Sequence, residues 1–397
     1  MIFYEGAPRV SVAHLVCWLQ WFAEMLMFAK VCLFLLILSY LCPDIKNIKS
    51  MRKLILSVLL VFASITIGAQ ETNQGMMKAP EAQALFDYLK DINGKKMLSG
   101  TMANVNWNIN EAQWVYEHTG RWPAMNCFDF IHHVFSQSGG WIDYSDTQVV
   151  EDWHAAGGIV SIMWHWNVPA REDGKWAFYS KETDFDVRKI FDEHSPEYAL
   201  MIKDIDQVAS YLKLLKDKHI PVIWRPLHEA GGKWFWWGRD ADACQHLWRV
   251  MYRRFSDAGL DNLIWAFTPA AAWQQPFSEG MRWYPGDAYV DIVGYDIYNV
   301  PDAQVCYSDY YLFLQQQCPN KLIAMTEFGN TAPVSSQWQA GAKWLFFMPW
   351  YDYGRTSRPS SPAFSSPEHG NASISWWQDA WAQDYVLSRD QVAPLKK

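Results

Sequence analysis

The chain has 397 residues, 50% hydrophobic and 19% charged, which is ample for a large core and excludes wholesale disorder. Lys plus Arg number 34 against 42 for Asp plus Glu, a net charge of −8, and this argues against nucleic acid, whose phosphates need a basic surface. The 24 Trp, 19 Tyr and 21 Phe are more rings than a core needs, so many are expected to be partly exposed in a groove, where sugar rings stack.

Residues 10–43 are apolar but interrupted by His14, Glu24 and Lys30. That makes a poor membrane span, which wants about 20 apolar residues with few charges. A second pattern follows at Met51-Arg52-Lys53, a short basic start; residues 54–68 are apolar, and Ile67-Gly68-Ala69 ends small before Gln70. This order is that of a secretory signal peptide over 51–69, so a secreted or periplasmic protein is expected. Met51 is then the true start and residues 1–50 an upstream extension; a two-segment membrane anchor is the alternative. Cys127, Cys244, Cys306 and Cys318 remain beyond the leader, too few for a disulfide scaffold, although Cys306 and Cys318 could pair in an oxidising compartment.

From residue 70 to 390 the pattern is that of one domain, followed by a short tail at 391–397. Amphipathic helices are predicted over Pro80–Ile92, Met201–His219 and Ala241–Ala258, where apolar residues recur at helical spacing. Between them lie eight short apolar runs: Lys96–Met102, Pro123–Phe130, Gly158–Trp166, Pro221–Glu229, Leu263–Pro269, Val290–Tyr298, Lys321–Gly329 and Lys343–Tyr351. Near-continuous apolar strands alternating with helices read as a parallel sheet buried on both faces. Eight such units predict a (β/α)8 TIM barrel with a single catalytic domain. An open doubly wound sheet is the runner-up, but its Gly-rich first turn is missing.

In such a barrel the chemistry sits where strands end. The third run closes with Trp164-His165-Trp166, the fourth with Arg225-Pro226-Leu227-His228-Glu229, the sixth with Asp296-Ile297-Tyr298 and the seventh with Thr326-Glu327. Two carboxylates across one mouth are what glycosidic cleavage requires, one to protonate the leaving oxygen and one to attack or activate water. His165, His228 and Glu229 could instead ligate a metal, yet no His-x-His or His-Glu-x-x-His spacing is present, so neither metal nor cofactor is expected. His132 and His133 follow the second run as site neighbours or surface residues. Of Trp234, Phe235, Trp236 and Trp237, at least one is expected to line the groove, Trp234 foremost, while one or two form a plug beneath the loop. The sequon Asn371-Ala372-Ser373 is short enough to arise by chance.

Residues Trp224 to Gly238, with Arg225-Pro226-Leu227-His228-Glu229 at their centre, closely resemble the acid/base motif of glycoside hydrolase family 26. Thr326-Glu327-Phe328-Gly329 resembles its nucleophile motif, and the likeness runs over roughly residues 78–390. The resemblance implies a clan A barrel that hydrolyses β-1,4-mannan or manno-oligosaccharides with retention of configuration. A β-glucanase or xylanase of the same family is an alternative, and a non-catalytic glycan-binding barrel a more distant one. It implies Glu229 as acid/base and Glu327 as nucleophile, with His228 where most of the clan has Asn. It further places His165, Trp166, Trp234 and Trp350 against substrate and has Tyr298 hold the nucleophile; Arg225, a positive neighbour in the site, is expected to help keep Glu327 charged. No stable protein partner is implied. Retention requires carboxyl groups about 5–5.5 Å apart.

Overall fold

The computed structural model describes residues 77–104, 107–136, 142–270 and 277–392. The expectations for the apolar stretch at 10–43, the start at Met51 and the leader at 51–69 lie outside the described residues, as does most of the tail.

Each apolar run contributes one strand, shorter than the run itself: β1 Met97–Met102, β2 Met125–Asp129, β3 Ile159–Met163, β4 Val222–Arg225, β5 Leu263–Phe267, β6 Ile292–Tyr298, β7 Leu322–Gly329 and β8 Phe346–Pro349. All eight are parallel, each pairs with the next, and β8 returns to β1 through Leu98↔Phe346 and Ser99↔Phe347, closing the barrel. The run ending in Glu229 leaves its strand at Arg225, because Pro226 has no backbone donor to continue the ladder.

Alternation along the strands sorts the core into two layers. Leu98, Met125, Ile159, Ile223, Ile264, Ile292, Ala324 and Phe346 fill the barrel interior, while Phe128, Val160, Trp224, Trp265, Val293 and Phe347 pack outward. The outer layer meets the helices α1 Pro80–Ile92, α2 Asn110–Thr119, α3 Gln148–Ala155, α4 Pro196–Lys216, α5 Ala241–Asp257, α6 Leu312–Gln317, α7 Val334–Ala340 and α8 Ile374–Trp381. Helix α1 spans the predicted residues, starts on Pro80, and closes the lower end of the barrel with Leu85, Leu89 and Ile92. Helix α4 begins five residues before its predicted start, because Ser195 caps it by accepting from the Tyr198 N–H at 3.1 Å. It stops at Lys216, short of His219, whose φ of 57° is incompatible with a helix. Between β5 and β6 the described residues hold only one short helical turn, Phe277–Gly280, and tighter turns.

The expectation that many indoles are partly exposed holds for only some of them, Trp107, Trp122, Trp176, Trp234, Trp338, Trp350 and Trp381 among the described residues. Trp114, Trp153, Trp224, Trp248, Trp265 and Trp344 are among those fully buried. For some of them the indole N–H finds a partner inside: Trp153 donates to the Ile159 carbonyl at 2.9 Å and Trp344 to Gln337 Oε1 at 2.9 Å, whereas Trp224 and Trp265 are buried by ring packing alone, their N–H groups making no hydrogen bond among the described residues. Cys127, Cys244, Cys306 and Cys318 are all buried free thiols, so the possible 306–318 bridge does not form.

Candidate active site

The alternation that fills the barrel also sets its upper, C-terminal end. Arg225 follows Ile223 on the inward face of β4, and Asp296 follows Ile292 and Gly294 on that of β6. On β7 the register slips: Tyr295 pairs with Met325 but Asp296 with Glu327, and on the other side Phe347 pairs with Met325 but Pro349 with Phe328. One extra residue on β7 is a bulge, which sends both Thr326 and Glu327 toward the interior. Thr326 Oγ1 donates to Asp296 Oδ1 at 2.7 Å, and Glu327 Oε1 accepts from Arg225 Nη2.

Glu229 reaches the same place by a strained route. Leu227 and Glu229 have φ of 47° and 54°, a left-handed backbone that costs free energy in residues with a Cβ. The surroundings hold it: the Glu229 N–H donates to the Thr268 carbonyl at 2.9 Å, and the Trp237 indole donates to the His228 carbonyl at 2.9 Å. The loop then doubles back tightly. A Cβ on Gly232 would lie 2.0 Å from the Trp234 ring, and one on Gly238 would lie 2.2 Å from the Ala230 carbonyl oxygen. Those two absent side chains let Trp234 fold over Glu229 and donate its indole N–H to Oε2 at 2.8 Å. Phe235, Trp236 and Trp237 are buried, so the plug beneath this loop takes three of the four aromatics, one more than expected; Trp234 alone stays partly exposed.

Glu229, Asp296 and Glu327 thus offer carboxylate oxygens all within 4.8 Å of one another, each residue buried. Arg225 is the cation among them, 3.2 Å from Asp296 Oδ2 and ion-paired with Glu327. Tyr298 Oη donates to Glu327 Oε2 at 2.8 Å. Burial, then the negative charges of Asp296 and Glu327, hold the Glu229 carboxyl well above the usual carboxylate range. Burial and Asp296 push Glu327 up to about 7, opposed by Arg225, His165 and the Tyr298 hydrogen bond. The proton therefore resides on Glu229, while Glu327 carries the contacts that favour charge. Among the described residues this trio is the one His/Cys/Asp/Glu group with metal-holding geometry, but the positive charge at its centre is already supplied by Arg225. The alternative ligand set of His165, His228 and Glu229 does not assemble.

His165 closes one side of the mouth. Its Nδ1 lies 2.6 Å from Asp129 Oδ2 and its backbone N–H donates to Asp129 Oδ1, so ring and backbone are both fixed. It packs edge-on against His228 at 4.5 Å, Phe178 at 5.1 Å and Trp350 at 5.8 Å. Burial and the neighbouring charges of Arg225 and His165 hold His228 well below the usual histidine range, so its imidazole is neutral. Trp166 requires a correction: it is fully buried, stacks on Trp164 at 4.0 Å and donates to Asp204 Oδ2 at 2.9 Å, so it is a core residue and touches no groove. His133 belongs to the same buried network, accepting from the Trp164 indole at 3.2 Å and facing Asp204. Arg225 is also sealed beneath the carboxylates rather than lining the groove. Asp129, the last residue of β2, was not singled out from the sequence, and Asp296 was quoted there only as part of the close of the sixth run, with no role given to it.

A closed parallel barrel bearing two carboxylic acids of unequal proton affinity at its upper end defines a glycoside hydrolase of the barrel class. Residues 76–361 match the sequence profile of glycosyl hydrolase family 26, and the chain belongs to that family. A mannan endo-1,4-β-mannosidase of Thermothelomyces thermophilus is 34% identical over 321 residues, 78% of this chain and 61% of that protein. The chain spans less still, 47% and 44%, of two further curated relatives from Piromyces. Among solved structures, the family 26 domain of an endo-β-mannanase/endo-β-glucanase from Prevotella bryantii superposes with a TM-score of 0.71 at 36% identity, covering 80% of this chain and 97% of that one. A β-mannanase from a symbiotic protist of the termite Reticulitermes speratus, solved with a gluco-manno-oligosaccharide, gives 0.65 at 29% identity, covering 81% and 99%.

Proposed function

We propose that the chain is a retaining β-1,4-mannanase, acting on mannan, glucomannan or manno-oligosaccharides by double displacement. The observation that carries this reading is the approach of Glu229 and Glu327 to within 4.8 Å, below the spacing of about 6.5–9.5 Å that leaves room for water in inverting enzymes. Glu327 attacks the anomeric carbon while Glu229 protonates the departing oxygen. Glu229, now ionised, then takes a proton from water, which releases the sugar from Glu327 with its configuration retained. Arg225 and Tyr298 keep the nucleophile charged, and Asp296 helps keep the proton on Glu229. His165, His228, Trp234 and Trp350 surround the sugar at the point of cleavage.

Proton NMR of mannohexaose hydrolysis tests the reading: the β-anomer appears first, and first appearance of the α-anomer would refute double displacement. Glu327→Ala is expected to abolish turnover while preserving oligosaccharide binding. The endo-β-glucanase label carried by the Prevotella relative makes mixed-linkage glucan the comparison substrate, with reducing-sugar release on mannan expected to exceed it. The leader-like segment at 51–69 fits export toward a polymeric substrate, which N-terminal sequencing of the exported protein would test.

A further inference from the structure

The chain leaves β8 at Trp350, runs through an outer loop and returns at Asn371. This loop is held from beneath by buried polar groups. Glu111 on α2 accepts hydrogen bonds from the Asp352 N–H at 2.5 Å, from the Thr356 hydroxyl, and from His369 Nε2 at 3.1 Å. The Asp352 carboxylate in turn accepts from the N–H groups of Gly354 at 3.0 Å, Arg355 at 3.2 Å and Gly370 at 2.8 Å, and from Arg355 Nη1 at 2.6 Å. His369 Nδ1 accepts from the Asn371 and Ala372 N–H groups, and Asn371 Nδ2 donates to the Trp350 and Tyr351 carbonyls, both at 3.2 Å. The sequon asparagine is therefore a clasp of the loop.

Buried charges are a costly way to hold a loop, since desolvation offsets much of their attraction; what they give is one fixed geometry. The fixed part presents an exposed aromatic ring. Tyr353 is 68% exposed, the most exposed aromatic among the described residues, and sits between Asp352 and Gly354 within this frame. Inward of it, Tyr351 contacts Trp350 at 4.8 Å, and Trp350 contacts His165 at 5.8 Å. Trp350 and Tyr351 thus form a row of rings that starts at His165, and Tyr353 follows two residues further along the same loop. In an eight-stranded barrel β8 stands opposite β4, so the row leads away from Glu229 and the leaving group it protonates.

We infer that Tyr353 is a sugar-stacking platform for a distal mannosyl unit on the glycone side, held ready by the Glu111–Asp352–His369 frame. A ring fixed before binding loses little freedom when a sugar covers it, so its contact is realised as affinity. The inference rests on the mannanase reading and adds a subsite that only longer chains reach. The test is kcat/KM on mannotetraose and mannohexaose for the native chain, Tyr353→Ala and Tyr353→Phe. The hexaose-to-tetraose ratio should fall about threefold to tenfold in Tyr353→Ala, through KM rather than kcat, and return in Tyr353→Phe. An unchanged ratio with an active native enzyme overturns the platform alone. A native enzyme that cleaves neither oligosaccharide overturns the mannanase reading and the platform with it.

Discussion

Tyr298 makes a single hydrogen bond to Glu327, and its effect has a definite sign. Glu327 must be ionised to attack, so kcat/KM rises as pH passes upward through about 7 and falls again where Glu229 loses its proton. These limbs belong to the pair, because the two carboxyl groups interact. The phenol favours the charged form of Glu327; Tyr298→Phe should therefore move the acidic limb up, by about 0.5–1 pH unit. A pH–rate profile with its acidic limb in place would remove Tyr298 from this role. Glu229 gives the complementary test in stability. Its folded pKa lies above the unfolded value, so its contribution is present at low pH and is lost as pH rises through the folded value. Glutamine cannot ionise. The melting temperature of Glu229→Gln relative to the native chain should thus increase from pH 5 to pH 9, and a pH-independent difference would contradict a buried, protonated Glu229.

At the scale of elements, the loop after β8 and the pair of tryptophans just after β3 make opposite predictions. Glu111→Ala leaves Asp352, Thr356 and His369 without their shared acceptor and should destabilise the chain by about 3 kcal/mol in denaturant titrations. Trp166→Ala should cost about 3–5 kcal/mol as a core truncation, with KM for oligosaccharides unchanged at temperatures where it remains folded. A raised KM would restore Trp166 to the groove. The strands themselves were legible, because eight apolar runs of similar length leave few architectures open. The bulge on β7 was not: nothing in Thr326-Glu327 announces an extra residue, since bulges are set by the pairing of neighbouring strands. The positive φ of Leu227 and Glu229 was equally hidden, because neither residue type favours that conformation and tertiary contacts such as those to the Thr268 carbonyl and the Trp237 indole hold it.

For the whole molecule, the lesson concerns which residues a sequence can assign. Glu229 and Glu327 stood out because each is a carboxylate directly after an apolar run. Asp296 and Asp129 act through other side chains, and only the closed barrel brings them to Arg225 and His165. Trp166 shares its motif with His165 but is held in the core by its stack on Trp164 and its hydrogen bond to Asp204. Composition misled most at this scale. An aromatic-rich chain reads as a groove, yet indole rings such as Trp224 and Trp265 fill the outer layer of this core.

The four free thiols carry a practical consequence. Burial raises them all, Cys127 and Cys306 to about 12 and Cys318 to about 11, so almost none of their sulfur is nucleophilic near neutrality. Alkylation by iodoacetamide, followed peptide by peptide in a mass spectrometer, then becomes a stopwatch for opening. Cys127 inside the barrel should acquire its tag only with global unfolding, and Cys318, at the end of α6, earlier if that edge loosens first.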